Sequence, residues 1–170
     1  MGLARAGRDR ESESALLAGM ENPYLFVYGL LRPEFANPMS TRLTQRADLI
    51  GEATVQGRLF DVGHYPALIL DRGATIGVRG QVYRFRSPDE DWSAFDDFED
   101  VRDQQGEYVR VVSSATLADG QRIAVWVYEF NRPTESLSLI ECADYYQFLR
   151  KYNPERIQSF SRKTPSDLNT

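Results

Sequence analysis

The chain has 170 residues, 42% of them apolar and 26% charged, an ordinary balance for one water-soluble globular domain with a sizeable core. Its net charge is −5 and Lys and Arg gather in no cluster, which disfavours nucleic-acid binding. A single cysteine, Cys142, and a single histidine, His64, exclude an internal disulfide, a cysteine-based zinc site and a histidine-rich metal centre.

Residues 1–21 are rich in Arg, Glu and Ser, with one short apolar patch at Ala15-Leu16-Leu17, and predict a disordered extension. They lack the continuous apolar stretch of a signal peptide, and no run is long enough to span a membrane. The expected location is cytoplasmic, with no membrane partner. A folded domain over 22–153 and a polar tail over 154–170 complete the predicted organisation.

The first predicted element is the run from Tyr24 to Arg32, where apolar and aromatic residues surround Gly29 and stop at Arg32-Pro33. Its Tyr, Phe and Val content favours a buried strand over a helix. The glycine near its end permits a turn that leaves peptide N–H groups unpaired, and such groups hold a carboxylate or an oxyanion. A core strand carrying a bulge fits the same residues.

Further strands are predicted at Glu52–Val62, Tyr65–Leu70, Gly77–Phe85, Glu107–Leu117 and Gln121–Phe130. The last two flank Asp119-Gly120, a hairpin signal. Helices are predicted over Pro38 to about Ala47, over Pro88–Phe98 behind a Ser87 cap, and over Ser138–Lys151. About six strands with a few helices give an α+β fold whose sheet curls into a small mixed β-barrel with peripheral helices.

On the Pro88–Phe98 helix, Trp92 and Phe95 mark the buried stripe, and Glu99 falls at an angle between them, one turn further on. Asp96, Asp97 and Asp100 crowd it. A carboxylate drawn towards an apolar core beside other acids has its proton affinity raised, which suits a general acid or base. The alternative is a helix that frays at Phe98 and turns Glu99 out to water.

Together these segments resemble the γ-glutamylcyclotransferase (AIG2-like) superfamily. Its strand ending in Tyr-Gly-Thr/Ser-Leu-Arg/Lys is matched by Tyr28-Gly29-Leu30-Leu31-Arg32. Its Gly-x-Leu-Tyr-Asp-x-Gly-x-Tyr-Pro is matched by Gly57 to Pro66, and Gly-Glu-Val/Leu-Tyr by Gly80-Gln81-Val82-Tyr83. Phe95-Asp96-Asp97-Phe98-Glu99-Asp100 stands for Leu-Asp-x-Phe-Glu-Gly/Asp, followed by Tyr108-Val109-Arg110 and Trp126-Val127-Tyr128.

The resemblance implies a barrel with a cavity at one end and cyclisation of a small-molecule γ-glutamyl substrate to 5-oxoproline with release of an amine. It carries the catalytic role to Glu99 and substrate binding to the amides of Gly29, Leu30 and Leu31. Tyr28, Tyr83 and Tyr108 become wall residues. No metal or organic cofactor is implied. Leu30 in place of Thr or Ser, and Gln81 in place of Glu, depart from the family pattern. The rival expectation is a non-catalytic module of the same fold that binds a small carboxylate or a protein.

The remaining residues have simpler readings. His64 is a loop residue near the cavity mouth, Arg32 either steers an anion or ends a strand in solvent, and Cys142 is buried on the last predicted helix. Trp126 and the Tyr145-Tyr146-Gln147-Phe148 face are core, the latter alternatively a dimer contact. Nothing in the residues decides between monomer and homodimer.

Overall fold

The computed structural model describes residues 22–103 and 105–160. Residues 1–21 and 161–170 of the expected extension and tail therefore lie outside the described residues. In chain order the elements are β1 (Tyr24–Val27), a 3-10 turn (Pro33–Phe35), α1 (Pro38–Arg46), β2 (Ala47–Asp61), β3 (Pro66–Leu70), β4 (Gly77–Phe85), α2 (Pro88–Phe98), β5 (Tyr108–Leu117), β6 (Arg122–Phe130), β7 (Ser138–Leu139), α3 (Tyr145–Tyr152) and α4 (Pro154–Phe160).

Five strands close into a mixed barrel in the order β2-β4-β1-β6-β5 and back to β2. All contacts around it are antiparallel except β1 on β6, where Leu25 stands opposite Trp126. β2 makes closure possible. It is 15 residues long, shifts register between Leu49 and Gly51, and so reaches β4, β5, β3 and β7 in turn. β1 is short and central, with Leu25, Phe26 and Val27 all buried, as its unbroken apolar run requires.

α2 forms where predicted. Pro88 fits the first helical position, and Asp89, Glu90 and Asp91 complement the positive end of the helix dipole. The Ser87 side chain makes no capping bond; its backbone carbonyl accepts from Glu90 N instead. Asp91 is fully buried and carries Arg46 and Arg42, pinning α2 to α1.

Two expectations are corrected. The helix predicted over 138–151 begins only at Tyr145. Ser138–Leu139 pairs with β2, Ala143 adopts a left-handed φ of 53°, and Asp144 caps the helix by accepting from Gln147 N. The cap and the left-handed residue stop the helix from extending backward, so Cys142 precedes it and is exposed. Residues 154–160 of the expected polar tail form α4. Phe160 is buried edge-on against Phe35, and Phe35 also packs on Tyr145 and Tyr146.

This aromatic knot anchors the 3-10 turn that follows β1. Phe160→Ala is expected to destabilise the protein by about 3–5 kcal/mol through cavity formation. Chemical denaturation followed by far-ultraviolet dichroism measures the loss; a change below about 1 kcal/mol would place Phe160 outside the cooperative core.

Candidate active site

One cleft opens at the end of β1. It has about 560 Å³ of empty space including its mouth, and its lining brings together Tyr28, Gly29, Leu30, Leu31, Glu99 and Tyr108 from distant parts of the chain. Tyr65, Asp100, Glu107 and Tyr128 complete its polar wall, with Phe26, Pro66 and Phe98 among the apolar residues.

The near wall is a turn. Arg32 N donates to Gly29 O at 3.0 Å, which leaves Leu30 and Leu31 at the centre of a β-turn. Among the described residues the amides of Gly29, Leu30 and Leu31 have no hydrogen-bond acceptor. The carbonyl of Leu30 is held from behind by Asn37, whose Nδ2 donates to it at 2.6 Å while its Oδ1 caps α1 at Met39 N and Ser40 N. Asn37 is completely buried. Gly29 is required for close approach: a Cβ there would sit 2.6 Å from Pro66 Cγ.

Arg32 is neither a steering group nor a solvated strand end. It is buried, paired with Glu34 at 3.0 Å and Asp144 at 3.2 Å, and lies over the Tyr146 ring. Gln81 joins this cluster, donating to Glu52 at 2.9 Å and Glu34 at 3.3 Å. An acid at 81 would place three carboxylates together, so the neutral amide is the residue that this cluster accommodates. Tyr83 belongs here too: its hydroxyl meets Gln81 Oε1 at 3.3 Å, and it does not line the cleft. Residues 81 and 83 share one face of β4, and Tyr83 is registered on Leu25, two residues before the end of β1 where the cleft opens.

The far wall is the end of α2. Glu99 is its C-cap, and Asp100 follows with φ 54°. Val101 N bonds Asp96 O and Asp100 N bonds Asp97 O, the paired contacts of a Schellman termination. The helix therefore ends in an ordered stop that keeps Glu99 partly buried in the cleft, without the fraying that would release it. Gly106 makes the return possible, because a Cβ there would lie 1.8 Å from Asp100 O.

Burial pushes the Glu99 carboxyl up to about 8, with the charges of Glu107 and Asp96 acting in the same direction. The negative end of the α2 dipole adds to this. No hydrogen-bond donor among the described residues reaches the carboxyl. Its neighbours are committed elsewhere: Asp96 to Arg110 at 2.8 Å and to the Tyr128 hydroxyl at 2.8 Å, and Asp100 to Glu107 N and Arg102. The Tyr28 hydroxyl donates to Tyr128 O and the Tyr108 hydroxyl to Pro66 O at 2.6 Å, so these rings are fixed as walls. Burial raises both phenols well above their ordinary range.

Tyr65, Glu107, Tyr128 and Asn37 were not anticipated as site residues. Asn37-Pro38 carries a visible signal, a capping residue before a proline. Glu107 carries none, because only the return of the 100–107 loop brings it beside Glu99. His64 is exposed and outside the lining. Among the described residues no group of three or more His, Cys, Asp or Glu side chains is arranged to hold a metal ion, and no helix is long and apolar enough to cross a membrane.

The raised Glu99 makes the folded state bind a proton that the unfolded chain has released. Its contribution to stability is full below the ordinary carboxyl range and is lost as pH rises to about 8. Glu99→Gln is therefore expected to melt above the wild type at pH 9, by on the order of 5 °C, with the gap closing towards pH 5. Thermal melts at the two pH values measure it; a gap independent of pH would show that the carboxyl is not desolvated.

The sequence profile described as "Gamma-glutamyl cyclotransferase, AIG2-like" matches residues 25–147. The chain is 30% identical over 122 residues to the Escherichia coli K12 protein named "Gamma-glutamylcyclotransferase family protein YtfP", covering 71% of this chain and 94% of that one. Among solved structures it is similar to an AIG2-like protein of Mus musculus, with TM-score 0.57 and 21% identity over 72% of this chain and 87% of the mouse chain. It is also similar to YkqA of Bacillus subtilis, with TM-score 0.56 and 20% identity over 78% of this chain, and it spans 44% of that longer chain. These two likenesses concern the fold; with the extent of the profile match and the identity to YtfP, they place the chain in the γ-glutamylcyclotransferase, AIG2-like family.

Proposed function

We propose that the chain is a γ-glutamylcyclotransferase that converts a γ-glutamyl amine or peptide to 5-oxoproline and a free amine, with Glu99 as general acid/base. The observation that carries this reading is the meeting, in one cleft, of an acid of raised proton affinity and a turn whose amides lack partners.

Each part has a step to perform. The substrate's α-amine must be neutral to attack its own γ-carbonyl, and ionised Glu99 accepts the proton. A new C–N bond closes the five-membered ring, and the carbonyl oxygen becomes an oxyanion beside the Gly29-Leu30-Leu31 amides. The oxyanion collapses, the original amide C–N bond breaks, and Glu99 returns its proton to the departing amine. General acid–base transfer is worth about 10²–10⁴ in rate, and one aligned oxyanion donor about 10²–10³. Tyr28 and Tyr108 hold the folded substrate in its reactive shape, a proximity effect. The Tyr108 oxygen, its proton committed to Pro66, is left as an acceptor for the substrate's amine.

Leu30 supplies an amide but no hydroxyl, and this departure favours the second reading, a binding module of the same fold. A panel of γ-glutamyl dipeptides, γ-glutamyl-lysine and γ-glutamyl amines, scored for 5-oxoproline, separates the two. Turnover is expected in at least one member, and Glu99→Gln is expected to lower kcat by about 10²–10⁴ with a native dichroism spectrum. Because the base must be ionised, kcat/KM is expected to rise with pH through an inflection near 8. Undiminished turnover in Glu99→Gln would remove the acid from the mechanism, and silence across the panel would favour the binding module.

A further inference from the structure

Glu107 lines the cleft, yet neither proton transfer nor the amide turn uses it. One of its oxygens, Oε1, accepts the Tyr65 hydroxyl. Among the described residues no cation or amide binds the other. Tyr65 is itself fixed: its carbonyl accepts from Val62 N at 3.0 Å and its ring packs on Tyr108. The result is a partly buried, oriented carboxylate with one free acceptor edge.

The charge of the lining points to what meets that edge. Among the described residues the cleft wall holds three carboxyls, Glu99, Asp100 and Glu107, and no Lys, Arg or His. Asp100 is occupied by Arg102 at 2.6 Å and by Glu107 N at 3.2 Å. The arginines behind the walls are committed as well, Arg110 to Asp96 and Arg32 to Glu34 and Asp144. Among the described residues of the lining, the Gly29-Leu30-Leu31 amides are the place for an anion, and one γ-glutamyl group fills that position. A second carboxylate on the departing amine would face Glu107 unpaired, whereas an ammonium there would gain a charge-assisted hydrogen bond.

Resting on the cyclotransferase reading, we propose that Glu107, oriented by Tyr65, is a specificity-determining residue that binds a positive charge on the departing amine. The substrate class is then a γ-glutamyl derivative of a cationic amine without a carboxylate of its own, an α,ω-diamine being the simplest.

The test compares three substrates of one length: the γ-glutamyl amides of 1,5-diaminopentane, 5-aminopentanol and 5-aminopentanoate. Wild type is expected to favour the cationic member over the neutral one by about tenfold in kcat/KM, with the anionic member poorest. Glu107→Gln is nearly isosteric and keeps an oxygen for Tyr65; it is expected to remove most of that ratio. Taking a ratio cancels the effect of Glu107 on Glu99.

A parallel arm uses glutaryl amides of the same three amines, which lack the α-amine and cannot cyclise, with binding measured by isothermal titration calorimetry. The same order is expected in wild type, and convergence in Glu107→Gln. Equal affinities in wild type, or a preference that survives Glu107→Gln, would overturn the assignment. A binding preference without turnover of any γ-glutamyl compound would sink the cyclotransferase reading and leave the charge recognition by Glu107 supported.

Discussion

The partial withdrawal of the Glu99 carboxyl from water, at the negative end of a helix and beside Glu107 and Asp96, is the constraint around which this protein is arranged. Such an arrangement costs free energy, and an unconstrained helix end would relieve it by turning the side chain outward. The paired Schellman bonds at Asp100 and Val101, the left-handed Asp100 and the close return past Gly106 block that relief. Asp96, the acid most able to compete for space, is drawn away by Arg110 and Tyr128. The hydrogen bonds of residues 96–101 and the contact of Asp100 with Glu107 N thus hold one side chain in an unfavourable medium.

The opposite wall solves a complementary problem. A turn with unpaired amides is unstable unless its carbonyls and flanks are held, and here Asn37 grips the Leu30 carbonyl while Arg32 locks the exit through Glu34 and Asp144. Asn37 also starts α1, and Asp144 also starts α3, so two helices share their capping groups with the turn. These two helices are in this sense part of the site, although neither contributes a lining residue.

Much of this was legible in the residues. The apolar run of β1, the Asp119-Gly120 hairpin and Pro88 at the start of α2 each depend on nearest neighbours, and each formed as read. The inward placement of Glu99 was legible as an angle on a helix wheel, but the alternative of fraying could be dismissed only with the hydrogen bonds of residues 96–101 in view. What stayed hidden depends on long-range contact. Tyr83 reads like Tyr28 in a motif, yet the register of β4 on β1 sends it to the Arg32 cluster. Leu139 and Cys142 fit a helical period, yet pairing with β2 and the Asp144 cap overrule it. Phe160 gives a polar segment its anchor, a pattern too sparse to register as amphipathic. Glu107 becomes a neighbour of Glu99 only because a loop closes.

The guanidinium of Arg110 lies 4.3 Å from the Trp92 ring and 4.4 Å from the Trp126 ring while it holds Asp96. These are the two tryptophans of the whole chain. All of its indole emission therefore originates around a single cation, one residue layer behind the carboxyls of the cleft. That cation holds Asp96, whose charge acts on the Glu99 carboxyl, so intrinsic fluorescence gives this molecule a native optical gauge of one wall of its cleft, with no label attached.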